Sequence, residues 1–415
     1  MTEQNHVTVI GAGIVGVCCA LYLQRAGFRV TILDERPPAE GCSFGNAGIL
    51  SPSACVPIAE PGMLWKVPRY LADPLGPLAI RPGYFLQALP WFLRFLREGR
   101  PARIRRNSRA MAALYAGCFD AYAPLLKEAG AEDLIRRSGA LLVSKEKGKG
   151  EVGGELANAL RAAAGIKAEP LGRDELRQLD PALSPEFKGG ILFPDIGHSV
   201  NSFRLARTLA ERVVRNGGTI LRRRVTGFAF GANGPSALRT AEGEVPIGAL
   251  VIAAGAWSRG LAAQLGTELP LEAERGYHVM LPDPGVAPRL PVSYSGRGFY
   301  ATPMENGLRF AGTAEFAGID APPDDRRAKA LLRLGKDMYP ALNTAGVTEW
   351  MGCRPSFPDS LPVIDRSPHF PAVHFAFGHS HWGLMGAAVT GKLIAGLVAG
   401  KPSSIDLAPY RATRF

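Results

Sequence analysis

The chain has 415 residues, 47% of them hydrophobic and 20% charged, with a net charge of +11. That length exceeds a single core of about 100–200 residues, so more than one domain is expected. No window supplies the roughly 20 uninterrupted apolar residues of a membrane-spanning helix, and MTEQNHVTVIG lacks the basic and apolar runs of a secretion signal, so a cytoplasmic location is expected.

Residues 7–10, VTVI, read as a short buried strand, followed by Gly11-Ala12-Gly13-Ile14-Val15-Gly16 and the apolar helical run VCCALYLQRAG. A second strand over 28–33 ends in Asp34-Glu35-Arg36. Together these make a βαβ unit with GxGxxG at its turn. Gly11 permits the tight turn, Gly13 lets a pyrophosphate approach the backbone, and Gly16 lets helix and strand pack closely. The helix start at Ile14 and Val15 offers free N–H groups and a positive dipole end to phosphate. Asp34 stands 23 residues after Gly11, close to the interval of about 20 at which an acid meets ribose hydroxyls. Glu35 is its neighbour, and strand alternation predicts that the two point different ways.

Cysteines at 18, 19, 42, 55, 118 and 353 form no CxxC pair and no metal-ligand spacing; reduced thiols and no metal are expected. Cys18 and Cys19 read as small hydrophobes in a buried helix. Apolar residues over 84–96 run into Arg94, Arg97, Arg100, Arg103, Arg105, Arg106 and Arg109, which face only Glu98 in that stretch. This is a solvated basic face or a surface that meets anionic phospholipid headgroups. No nucleic-acid motif accompanies it, and no nucleic-acid partner is expected. Residues 145–154, KEKGKGEVGG, read as a surface loop.

Further along, 204–216 is an amphipathic helix ending at Gly217-Gly218, followed by a strand over 220–230, a turn at Ala232-Asn233-Gly234 and a return to the buried strand and glycine turn of 251–258. Arg297 to Pro303, then Glu305-Asn306-Gly307 and 308–312, read as a hairpin. Near the end stand Met351-Gly352-Cys353-Arg354-Pro355 and Gly378-His379-Ser380-His381-Trp382-Gly383-Leu384-Met385-Gly386.

With the glycine unit, the segment Gly41-Cys42-Ser43-Phe44-Gly45-Asn46-Ala47-Gly48-Ile49-Leu50, the turn at Ala254-Gly255-Ala256-Trp257 and the C-terminal glycine loop, the whole chain resembles the glycine oxidase and D-amino-acid oxidase superfamily of FAD enzymes. The SFGNAG stretch resembles its bacterial D-amino-acid dehydrogenase branch. The resemblance implies an α/β fold, with a Rossmann-like FAD-binding domain from 1–56, 190–266 and 353–415. A mixed-sheet substrate-binding domain would come from 57–189 and 267–352. It implies non-covalent FAD held by the glycine unit, by Asp34, Glu35 and Arg36, and by Ser43, Asn46, Ala47, Gly48 and Ile49. Val225, Ala254, Gly255, Trp257, Arg354 and Gly383 to Gly386 complete that set.

For substrate, the resemblance assigns Arg354 to the carboxylate, for which a guanidinium fork is well shaped, and Tyr300 beside it. Tyr277 and His379 are weaker candidates; His379 reads as structural or flavin-adjacent. The implied reaction is oxidative deamination of a D-amino acid with electrons passed to a quinone-type acceptor. Cyclic or N-methylated amino acids remain open as substrates, as does a role as docking subunit of a larger flavin complex.

Overall fold

Chain segments far apart in sequence alternate between two large sheets. The computed structural model describes residues 5–148, 150, 152, 154–232 and 234–415. The first sheet has six strands, in the order Thr219–Arg222, Arg29–Asp34, His6–Ile10, Ala249–Ile252, Val373–Phe377 and Val363–Arg366. All pair in parallel except the last, which is antiparallel to its neighbour. Val7, Val9, Val251 and Ile252 are fully buried, as a parallel sheet covered on both faces requires.

Helices Ile14–Arg25 and Gly383–Val398 pack together on this sheet. A Cβ on Gly391 would lie 2.5 Å from the Cys18 carbonyl oxygen, so the two backbones meet directly. Cys18 and Cys19 are buried in that contact, as small hydrophobes. The Tyr22 hydroxyl donates to the Ala121 carbonyl (2.6 Å) and that of Tyr122 to the Leu384 carbonyl (2.7 Å), which binds helix Cys118–Ala129 to both.

The second sheet has nine strands and mixed direction. Its order is Thr348–Ser356, Glu272–Leu281, Gly307–Phe316, Phe299–Met304, Val292–Tyr294, Ala140–Ser144, Gly189–Phe193 and Glu169–Gly172, with Leu78–Ile80 paired to Gly307–Phe316. Helix Asp325–Met338 covers one face through Leu331, Leu334 and Met338, which pack with Val279, Phe299 and Phe310. The other face looks across a cavity to the nucleotide unit.

The structure moves several expected boundaries. Positions 190 and 353 fall inside strands of the nine-stranded sheet, not between domains. Helices Pro101–Tyr115 and Cys118–Ala129, expected with the substrate domain, share the core of the six-stranded sheet through Met111, Leu114 and Leu125. The single strand expected over 220–230 is two. The parallel ladder ends where Arg222 pairs with Asp34, the Arg223 amide donates to the Asp34 carbonyl at 2.8 Å, and Val225–Gly231 leaves for a separate three-stranded antiparallel sheet. The turn read at 232–234 includes Asn233, and the loop read at 145–154 includes 149, 151 and 153, all outside the described residues. The helix read at 204–216 is Ser202–Arg215, because Asn201 caps it by accepting from the Arg204 amide. The Asn306-Gly307 hairpin is present, with Met304 opposite Gly307.

Candidate active site

A cavity of about 1410 Å³ separates the two sheets. It exceeds the roughly 300–1,000 Å³ of an ordinary ligand pocket, leaving room for a dinucleotide and a small second molecule.

At the six-stranded sheet the glycines divide by role. Gly11 has φ +111°, and a Cβ there would lie 2.4 Å from the Ala253 carbonyl oxygen; a Cβ on Gly16 would lie 1.9 Å from that of Gly11. Both are glycine for reasons internal to the protein. At Gly13 the nearest atom to a Cβ is the Ser43 hydroxyl, at 3.4 Å. Nothing among the described residues forbids a side chain there, and the residue lines the cavity. The helix that begins at Ile14 has no side-chain cap, and the Gly13 and Val15 amides donate to no described residue. This cradle fits a pyrophosphate by backbone approach and helix dipole.

The Ser43 hydroxyl accepts from the Ile14 amide (2.9 Å), and Asp34 accepts from the amides of Ala12 (2.7 Å) and Arg36 (2.9 Å). Burial raises the Asp34 pKa, and those two amides oppose the rise. Asp34 and Glu35 both line the cavity, against the expected alternation, because the strand stops at Asp34. Val225, Ala254, Gly255 and Trp257 line the same end, with Arg36 lying 5.4 Å from the Trp257 ring centre. Gly16, Gly48 and Gly386, expected to touch the cofactor, do not line the cavity. A Cβ on Gly48 would meet the Ser199 carbonyl, and one on Gly386 the Tyr115 ring, so both serve packing.

Asn46, Ala47 and Ile49 do line it, and the segment that carries them is pinned from behind. The Arg309 guanidinium donates to the Asn46 carbonyl at 2.7 Å, and His278 Nδ1 donates to that of Gly45 at 3.0 Å. Burial, with help from Arg309, lowers the His278 pKa to about 3, so the ring is neutral. It stacks on Trp350, whose indole occupies the space a Cβ would take on Gly45 and on Gly352. These supports were not singled out from the sequence. Glycines 45 and 352 were the only trace of the indole above them.

The nine-stranded sheet supplies the opposite wall. Arg354 projects from strand Thr348–Ser356, and its guanidinium lies across Gly276, where a Cβ would come within 2.1 Å of Nη2. Nη1 donates to Glu274 Oε1 (2.9 Å) and to the Thr313 carbonyl (2.8 Å), while Nη2 reaches the Gly312 carbonyl (3.3 Å). Nε donates to no described residue. Glu274 is buried and also meets His381 Nε2 (2.5 Å) and the Ser356 hydroxyl (3.1 Å). Burial pushes its pKa up, but His381, Arg354 and Ser356 outweigh this and hold it at about 2. The carboxylate therefore stays charged and fixes the guanidinium in place. Glu274 and His381 support Arg354, and neither carries a site assignment from its motif.

Tyr300 stands on the strand next to the carbonyls that Arg354 grips, and it lines the cavity. The Tyr277 hydroxyl turns the other way. It donates to Glu315 (2.5 Å) and accepts from the Asp324 amide (2.9 Å), so its phenol belongs to the packing beneath the sheet. His379 is buried, bonded to the Thr390 hydroxyl at 2.8 Å, with its pKa lowered to about 3 by desolvation. Gly383, Leu384 and Met385 line the cavity at the uncapped start of the last long helix. Cys42 and Cys353 also line it, and burial raises both thiols, Cys42 to about 12.

The whole chain is similar to known proteins. The family described as FAD dependent oxidoreductase matches residues 6–397. A D-amino-acid oxidase of Bradyrhizobium diazoefficiens is 39% identical and covers 100% of both chains. A D-amino acid dehydrogenase of the same organism is 31% identical over 99% of this chain and 98% of its own. Among solved structures, glycine oxidase from Geobacillus kaustophilus superposes with a TM-score of 0.74 at 21% identity, covering 99% of each chain. The chain belongs to the FAD-dependent oxidoreductase family and has the two-domain α/β fold of glycine oxidase.

Proposed function

We propose that this enzyme oxidatively deaminates a D-amino acid, giving an imino acid that hydrolyses to a 2-oxo acid and ammonia, with electrons passed to a quinone-type acceptor. The observation that carries the reading is Arg354, laid across Gly276 and anchored by Glu274, facing the nucleotide cradle across one cavity. FAD, when bound, accepts the hydride from the carbon that bears nitrogen. The protein's part is to hold the substrate. A guanidinium with Nε free and one edge tied down presents a fixed fork to a carboxylate, and Tyr300 adds a hydroxyl one strand away. Relatives named D-amino-acid oxidase and D-amino acid dehydrogenase support the substrate class and differ in the acceptor they imply. Protonated Cys42 and Cys353 are poor nucleophiles, which supports non-covalent FAD.

A quinone-type acceptor is supported by the outer wall of the cavity. Helices Met63–Ala72 and Phe85–Glu98 line it with Val67, Leu89, Phe92 and Leu96, yet Trp65 is 83% and Leu86 77% exposed. Lys66, Arg69, Arg94, Arg97 and Arg100 are exposed around them, while Glu98 is buried. Such a surface suits peripheral contact with an anionic bilayer. No helix among the described residues is long and apolar enough to cross a membrane.

One experiment tests the whole reading: a panel of D- and L-amino acids, prolines and sarcosine, with dye reduction and peroxide measured in parallel, with and without anionic vesicles. Arg354→Ala should raise KM by on the order of 10²-fold while FAD stays bound. Unchanged kinetics would sink the assignment, and stoichiometric peroxide would replace the quinone by oxygen.

A further inference from the structure

We infer that Arg161 is a second anion-binding group in the cavity, and that the preferred substrates are D-amino acids whose side chain ends in a carboxylate. This rests on the reading of Arg354 given above. Helix Glu155–Ala163 is anchored by buried Leu160, which packs with Cys55 and Ile104, and the next residue, Arg161, lines the cavity. Its guanidinium lies 5.1 Å from the ring centre of Phe193 and donates to Asn158 Oδ1 at 3.0 Å, within its own helix.

Two guanidiniums line the cavity from the nine-stranded-sheet side, and their surroundings differ. Arg354 has Glu274 at 2.9 Å, whereas Arg161 has no carboxylate at ion-pair distance among the described residues. Glu60 does sense its charge, but Glu60 is itself paired to Lys66 at 2.6 Å. Desolvation lowers the Arg161 pKa, so the partly buried charge is held with no carboxylate at ion-pair distance among the described residues. A charge held in that way is stabilised by an anion that enters the cavity.

The order of strands gives the two cations different ends of one substrate. From the carbonyls that Arg354 grips, the wall runs past Phe299 and Tyr300, then Ser293 and Leu142, to the strand Gly189–Phe193, where Ile191 stands opposite Leu142 and Phe193, under Arg161, opposite Ala140. Tyr300 lies between them and senses the Arg161 charge. An α-carboxylate on Arg354 therefore directs the side chain past Tyr300 towards Arg161. Neutral side chains leave the second guanidinium without an anionic partner, and this is how a partly buried charge discriminates.

The test uses the holoenzyme and two readouts. In turnover, D-glutamate and D-aspartate should exceed D-alanine and D-leucine in kcat/KM, and Arg161→Met should lower that acidic-to-neutral ratio by roughly 10- to 100-fold. Arg161→Lys should restore part of it and guards against loss of folding. Calorimetric titration with glutarate and butyrate reads the same site without turnover; glutarate should bind more tightly, and Arg161→Met should erase the difference. A wild-type enzyme that prefers neutral side chains, or glutarate binding unaltered in both variants, overturns the inference. If glutarate binds through Arg161 yet no amino acid is oxidised, the anion site stands and the proposed reaction falls.

Discussion

Around the nucleotide cradle, several contacts join residues that are close in sequence, Ala12 with Asp34, Ile14 with Ser43 and Gly16 with Gly11, and Gly11 against the Ala253 carbonyl adds a distant one. The opposite wall is assembled otherwise. Arg354 depends on Gly276, on the carbonyls of Gly312 and Thr313, and on Glu274, which in turn depends on His381 and Ser356. The cradle is a local device that any suitable βαβ unit can carry. The guanidinium wall exists only when three strands and a distant loop are in register, so it can be tuned without disturbing the cradle.

The largest effect should come from separating those roles within the glycine unit. Gly11→Val forces a β-branched residue to φ +111° with its Cβ near the Ala253 carbonyl. It should abolish FAD retention and cost about 1–3 kcal/mol or more of stability, read by urea denaturation of the apoprotein. Gly13→Val should change apoprotein stability by no more than about 1 kcal/mol while also abolishing FAD binding. Equal destabilisation by both would break the distinction between internal and ligand-facing glycines.

Next comes Gly276→Ala. Its methyl needs the space of the Arg354 guanidinium, so kcat/KM should fall by on the order of 10²-fold with FAD content unchanged. Loss of FAD in this variant would mean that cradle and wall are not independent.

The smallest effect concerns His379. Its pKa is 6.5 in the unfolded reference and about 3 when folded, so the folded state binds fewer protons across that window. The contribution is present above pH 6.5 and is lost as pH falls towards 3. His379→Gln should flatten the acid decline by about 1.4 kcal/mol per pH unit within it, measured by urea midpoints at pH 7 and pH 5. His278, with a similarly lowered pKa, leaves some decline in place. An unaltered slope would show that His379 is protonated in the fold.

The same contrast explains what could be read from sequence. GxGxxG, the acid at Asp34 and the helix that follows are contiguous, and the structure keeps them together. The motif of Arg354 and the hairpin of Tyr300 both lead to residues that line the cavity. Glu274 was not, since a glutamate next to Arg275 in a strand looks like a solvated pair until the register sets it opposite Arg354. Trp350, His278 and Arg309 were hidden for a related reason. They act on the SFGNAG segment from behind, about 230 to 300 positions further along the chain. Tyr277 lines the cavity while its hydroxyl is tied to Glu315 and Asp324, and a strand tyrosine's position in sequence shows nothing of which face its hydroxyl takes. Arg161 sits in a short helix with no motif at all.

The contact of Gly391 with Cys18 has a consequence for how the molecule is made. A ribosome has delivered the nucleotide strands His6–Ile10, Arg29–Asp34 and Ala249–Ile252 well before Val373–Phe377 and the helix Gly383–Val398 emerge. Until then the outer edge of Ala249–Ile252 is unpaired and the first helix has an apolar side exposed, the condition under which edge strands recruit the wrong partner. Arrival of strand Val373–Phe377 closes that edge, and the helix that follows covers the first helix and delivers Gly383 to Met385 to the cavity. Nascent chains halted before residue 363 should therefore be protease-sensitive in their first 30 residues, although that segment looks the most self-sufficient of the chain.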